Sequence, residues 1–169
     1  MNEELVAYIT RLCELSGHTT RIKKDLILVE PREGYTDVYE AFTMVEEYYA
    51  YGEVDKYSFG GARFSSVSLE IFKKFAIMHF AADIRAAHQL PPLAIPAVTD
   101  VHPSFSIEFR EPIAYLLTSK TSPIPTTYTN VSPTALLSLS YLMGTSSEDL
   151  LSLVLEPSGA GYTALYQHD

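Results

Sequence analysis

The segment from Ser65 to Ala87 constrains the fold more than any other stretch of the chain. Ser66 or Ser68 can cap a long helix with Glu70 in its first turn, and Leu69, Phe72, Phe75, Ala76, Phe80 and Ile84 spread over a wide face. A helix this apolar must be packed over most of its circumference, which places it at the centre of the fold. Leu90-Pro91-Pro92-Leu93 stops it, because neither Pro91 nor Pro92 can continue the hydrogen-bond ladder. Arg85 lies just before that stop. Its cation suits a helix C-terminus and could clamp free carbonyls bidentately, with a substrate carboxylate as the alternative.

Elements on either side are shorter. Asn2 caps a helix to about Leu15, with Leu5, Ile9, Leu12 and Cys13 on one stripe, and Gly17 suits the left-handed cap that ends it. His18 to Glu30 predicts a hairpin turning at Lys23-Lys24-Asp25. Tyr35 to Tyr51 carries two patterns: Val38, Phe42, Val45 and Tyr49 fit a helix, whereas Tyr39, Tyr48, Tyr49 and Tyr51 favour strands. Two strands are preferred, with a third through Tyr57-Ser58-Phe59 and a turn or bulge at Gly60-Gly61-Ala62-Arg63.

Phe105, Ile107 and Phe109 alternate with polar residues as in a half-buried strand, and Ala114 to Thr118 is its antiparallel partner. Thr121 to Thr129 is expected as loop. Ser132 and Pro133 open one short helix, Thr145 and Glu148 form the capping box of another, and Tyr162 to Tyr166 is expected as a last short strand. The fold class is therefore α+β: an antiparallel sheet of hairpins packed against a long central helix, with an N-terminal helix and two short C-terminal helices. Residues 1–169 are expected to form a single domain, since 169 residues suit one core.

Composition narrows the function classes. Twenty-one acidic residues against 12 basic ones give a net charge of −9. A negative surface repels nucleic acid and anionic membranes and steers association with basic partners, although the charge could equally serve solubility alone. The N-terminus MNEELVAYIT has neither a basic nor an apolar signal region, and no stretch is long and apolar enough to cross a membrane. With the lone Cys13 unable to form an intrachain disulfide, a cytoplasmic setting is expected.

No phosphate loop, dinucleotide fingerprint, nucleophile elbow or cysteine zinc pattern is present, and no metal or cofactor is expected. Cys13 reads as a small buried apolar residue, because a catalytic thiol needs a basic partner. His79 and Asp83, at i and i+4, share a helix face. They form either a hydrogen-bonded, partly buried pair or the base and orienter of a small hydrolase. The strongest candidate for a partner-binding surface is the acidic-aromatic run Glu46, Glu47, Tyr48, Tyr49, Tyr51, Glu53 and Asp55. Tyrosines supply buried area at interfaces and carboxylates meet Lys and Arg across them, while the plainer alternative is a charged sheet edge with its tyrosines half in the core.

Phe64-Ser65-Ser66-Val67-Ser68-Leu69-Glu70-Ile71-Phe72, Asp83-Ile84-Arg85, Leu90-Pro91-Pro92-Leu93 and Glu156-Pro157-Ser158-Gly159 carry a further signal. With Leu15-Ser16-Gly17-His18 and Leu139-Ser140-Tyr141-Leu142, they resemble the bacterial polymorphic-toxin immunity proteins of immunity protein family sixty-one. The family pattern includes a tryptophan, and this chain has none. The resemblance implies an antitoxin that binds a cognate toxin domain, one to one, and blocks its active site. Toxins paired with such proteins include nucleases and NAD-degrading enzymes such as NAD glycohydrolases. It carries no catalytic residues and assigns Gly17, Arg85, Pro91 and Pro92 no role beyond a structural one. A small hydrolase using His79 and Asp83, or a non-catalytic adaptor subunit of a larger assembly, are the rival readings.

Overall fold

A computed structural model describes residues 2–30, 38–55, 58–110, 114–121, 127–129 and 133–167. Helix α1 (Glu3–Leu15) begins where the Asn2 side chain accepts hydrogen bonds from the amides of Glu4 and Leu5. It ends at Ser16, with Gly17 at φ 75° and the His18 amide reaching back to the Cys13 carbonyl at 2.7 Å, which satisfies otherwise orphaned carbonyls. Two hairpins and a fifth strand follow: β1 (Thr19–Lys23), β2 (Leu26–Glu30), β3 (Val38–Val45), β4 (Tyr48–Asp55) and β5 (Ser58–Ser66). The aromatic run thus forms strands, as its β-branched and tyrosine content favours. Residues 35–37 of that expectation lie outside the described residues.

Helix α2 (Leu69–Ala87) starts four residues after Ser65, where the expected segment begins, because Ser65 and Ser66 complete β5. Ser68 is the cap, its hydroxyl accepting from the Ile71 amide at 3.3 Å. Beyond an irregular segment come β6 (Phe105–Arg110), β7 (Ala114–Ser119), β8 (Thr127–Thr129), α3 (Thr134–Leu142), α4 (Ser147–Leu155) and α5 (Ala160–Ala164). The strands form one sheet of order β1-β2-β3-β4-β5-β8-β7-β6, antiparallel at every described pair.

Three local expectations are corrected. Thr127–Thr129 is strand β8 and not loop, because it bridges β5 and β7 and closes the two halves of the sheet. Tyr162 lies in helix α5 and not in a strand; its ring is buried, and its hydroxyl lies 3.4 Å from that of Tyr166. The second C-terminal helix is capped by Ser146, whose hydroxyl accepts from the Asp149 amide at 3.1 Å, one residue beyond the Thr145–Glu148 pairing. Ser132 lies outside the described residues.

One face of the sheet carries the main core. Ile27, Val29, Phe42, Tyr51, Phe64 and Leu117 meet Leu5, Ile9 and Leu12 of α1 and Phe72, Phe75, Ile77, Phe80 and Ile84 of α2. Phe64 stacks on Phe75 at 3.8 Å between centroids. Burying each such ring contributes about 1.5–3 kcal/mol. The opposite face holds a small cluster of Leu28, Ala41 and Val54, flanked by Leu26, Tyr39 and Phe59. At Gly60–Arg63 the β4–β5 register shifts, a bulge that lays the Phe59 ring over Gly52.

Polar groups on α2 fasten the C-terminal helices by their ends. Glu70 accepts from the amide and hydroxyl of Ser147 at 2.7 and 2.8 Å, an anion at the start of α4. Lys74, buried, donates to the Met143 carbonyl at 2.8 Å, a cation at the end of α3. Arg85 serves the end of α4. Each charge has the sign its helix end favours.

Candidate functional site

The acidic-aromatic run does not form one surface. Strand alternation sends Tyr49 and Tyr51 toward α2. Tyr51 is 7% exposed, lies 5.3 Å from the Phe75 ring and donates its hydroxyl to Glu40 Oε1 at 2.9 Å. Burial, reinforced by the Glu40 carboxylate, pushes its hydroxyl above the ordinary tyrosine range. Tyr49 packs 5.9 Å from Phe72, and its hydroxyl accepts from Asn2 at 3.2 Å. Both rings therefore support the core.

The remaining members separate along the strand. Glu46 and Glu47 form the exposed β3–β4 turn, with Glu46 at φ 56°, and Tyr48 follows on the face away from α2. Glu53 pairs with Arg63 at 2.7 Å, and Asp55 is exposed at the far end. Seven residues of extended chain part Tyr48 from Asp55, roughly 23 Å.

His79 and Asp83 share a helix face, but each has another partner. His79 Nε2 lies 3.1 Å from Glu40 Oε2, and Asp83 Oδ2 lies 3.5 Å from His18 Nε2. The two pairs line a cleft of about 270 Å³ where the end of β2, the start of β3 and His18, just before β1, meet α2. Burial pushes the Glu40 carboxyl up, but the His79 hydrogen bond and charge, with the Tyr51 hydroxyl, outweigh it and hold Glu40 below its ordinary value. Rings of Tyr51 and Phe80 flank His79 at 4.8 and 4.9 Å. Among the described residues, no group of three or more His, Cys, Asp and Glu is placed to hold a metal ion.

Cys13 is fully buried, and that burial, with the nearby Glu40 and Glu14 carboxylates, pushes its thiol up to about 12. The thiolate that nucleophilic chemistry requires is thereby suppressed. His88 caps the end of α2, His102 sits in the irregular segment, and His168 lies outside the described residues.

The sequence motifs converge elsewhere. Arg85, 1% exposed, donates Nε to the Pro91 carbonyl, Nη1 to the carbonyls of Val154 and Glu156 at 2.7 and 2.8 Å, and Nη2 to that of Pro157 at 3.0 Å. Gly159, at φ 65°, closes over it, and a Cβ there would stand 2.7 Å from Leu93 and 3.3 Å from the guanidinium. Asp83-Ile84-Arg85, Leu90-Pro91-Pro92-Leu93 and Glu156-Pro157-Ser158-Gly159 thus meet around one cation. Pro91 gives it a carbonyl, and Pro92 lines a pocket with Ala81, Ala82 and Arg85 of α2.

The model of the family described as immunity protein 61 matches residues 12–162. The chain belongs to this family. No curated protein matches its sequence. A solved structure described as Rv3902c from M. tuberculosis is similar in fold, with a TM-score of 0.72 and 18% identity over 94% of this chain and 91% of that one. The Arg85 knot lies within the span that the family model matches.

Sequence reasoning missed Glu40, His18 and Lys74. Glu40 and His79 are 39 residues apart, and only the sheet brings them together. Lys74 had a readable signal: Glu70, Lys74, Ala81 and Arg85 recur at i, i+4, i+11 and i+15, a stripe charged at both ends on an otherwise apolar helix.

Proposed function

We propose that the protein is an antitoxin: it binds a cognate bacterial toxin domain, one to one, and blocks its active site without chemistry of its own. The observation that carries this reading is the immunity-protein family match over residues 12–162. The excess of 21 acidic over 12 basic residues suits a basic catalytic cleft, where carboxylates stand in for an anionic substrate. A toxin that degrades NAD or nucleic acid has such a cleft. The members of the acidic run outside the core, exposed Glu46, Glu47 and Asp55 with half-buried Tyr48 and Glu53, are the candidates for contact. The protein then works in the cytoplasm of the producing cell, where an unneutralised toxin would act.

The test uses the toxin domain encoded beside this gene. Cells expressing that domain should survive when this chain is co-expressed, and the purified pair should form a 1:1 complex whose catalytic activity is lost. Failure of the wild-type chain to bind or inhibit that domain would overturn the reading.

A further inference from the structure

We propose that the toxin is held at the β3–β4 end of the sheet, by an apolar row of Val45, Tyr48 and Val67 beneath the acidic turn Glu46-Glu47. This rests on the antitoxin reading above. Val45 pairs with Tyr48 across the hairpin, so both project from the face away from α2. Tyr49 pairs with Ser66, so Val67 comes next to Tyr48. Val45 is 46% exposed and Val67 37%, two of the few large apolar side chains that the fold leaves in solvent. They lie side by side at one end of the sheet, on β3, on β4 and at the residue that follows β5, which makes a row and not scattered exposure.

The turn above the row is poorly chosen for folding. Glu46 and Glu47 are the two residues between paired Val45 and Tyr48, and Glu46 takes φ 56°. Tight hairpin turns with a positive φ favour Gly, Asn or Asp there, because a longer side chain crowds the backbone. Among the described residues, neither carboxylate has a hydrogen bond or ion pair that would offset this. Two adjacent charges at a strained turn weaken the hairpin and serve no ion pair or hydrogen bond among the described residues. Local strain of this kind is retained where a function needs it.

Apolar row and charges together define the partner's chemistry. The occupant is a basic protein surface with an apolar residue at its middle and Lys or Arg around it. Apolar burial would hold the complex, and the carboxylates would speed encounter and exclude acidic surfaces.

The experiment measures binding of the full chain to the toxin domain encoded beside it, with thermal unfolding of each variant in parallel. Glu46→Asn should unfold no lower than wild type yet bind roughly threefold or more weakly, a split that a purely structural role cannot give. Val45→Asp with Val67→Asp, and Glu46→Lys with Glu47→Lys, should each weaken binding at least about tenfold. Glu108→Lys, on the distant β6, should leave binding unchanged. If wild type binds and these variants bind within twofold of it, the surface is wrong while the antitoxin reading stands. Wild type that does not bind at all removes that reading itself. If wild type is dimeric and Val45→Asp with Val67→Asp makes it monomeric without weakening toxin binding, the row joins copies of this chain and the proposal is overturned.

Discussion

Replacing Arg85 by alanine tests the idea that one buried cation holds the C-terminal third of the chain. The guanidinium donates to four carbonyls, of Pro91, Val154, Glu156 and Pro157, and is 1% exposed. A hydrogen bond to a charged group contributes about 1.5–3 kcal/mol, but four bonds sharing one group are far from additive. Leaving buried carbonyls without a donor costs about 1–3 kcal/mol each, again not additively, and a loss of about 3–5 kcal/mol is expected. Against a total of about 5–15 kcal/mol it is large. For a chain of this size it corresponds to a drop of roughly 6–20 °C in Tm.

Arg85→Lys should lose about 2 kcal/mol, since one ammonium keeps the charge and cannot span the same fan of carbonyls. Urea unfolding followed by circular dichroism at pH 7 measures both. A loss below about 1 kcal/mol for Arg85→Ala would refute the clamp. Full retention by Arg85→Lys would show that charge matters and the planar fork does not.

Three further outcomes are expected. Gly159→Ala should cost about 2 kcal/mol or more in the same assay, because it combines a positive φ with a Cβ 2.7 Å from Leu93; a smaller effect would mean that Leu93 moves aside freely. Cys13 should resist iodoacetamide at pH 8 in the native protein and react at once in urea, since its thiol is pushed up to about 12, and fast native labelling would contradict that burial. Glu40 titrates below its ordinary value in the folded state, so its contribution to stability is present above the unfolded carboxyl value of about 4.3 and is lost as pH falls through the folded one. His79→Phe keeps a ring between Tyr51 and Phe80 but removes the donor, so burial of the Glu40 carboxyl is no longer outweighed and the loss of stability with falling pH should shrink or change sign. Parallel stability profiles of wild type and variant between pH 3 and 7 would count against the Glu40–His79 bond.

The parts of the fold legible in the sequence are those set by local patterns. Asn2 and Ser68 cap their helices as their side chains allow, and Lys24-Asp25 turns the first hairpin between runs of strand formers. β8 was not legible, because three residues among loop-like neighbours become a strand only when β5 and β7 offer edges on both sides. The acidic run divides between core and surface for a related reason. Its tyrosines were correctly placed on strands, yet only the packing of α2 decides which alternate residues are core, and that put Tyr51 against Phe75 and left Tyr48 on the other face. The His79–Asp83 spacing sets both groups on one helix face, but each has a nearer partner, Glu40 on the sheet for His79 and His18 beyond α1 for Asp83.

The stripe of Glu70, Lys74 and Arg85 has a consequence for the order of assembly. Helices α3 and α4 have nine residues each, too short to persist alone in water. Side chains of α2 meet the end of α3 and, beside the Ser146 cap, both ends of α4, at the right spacing and in the right sequence of signs. The last quarter of the chain can therefore add only after α2 exists, and only in one direction along it, because reversal would set like charge against like dipole. It should also leave as a unit. In native-state hydrogen exchange, the amides of α3 and α4 would open together, below the free energy of global unfolding, while those of α2 stay closed.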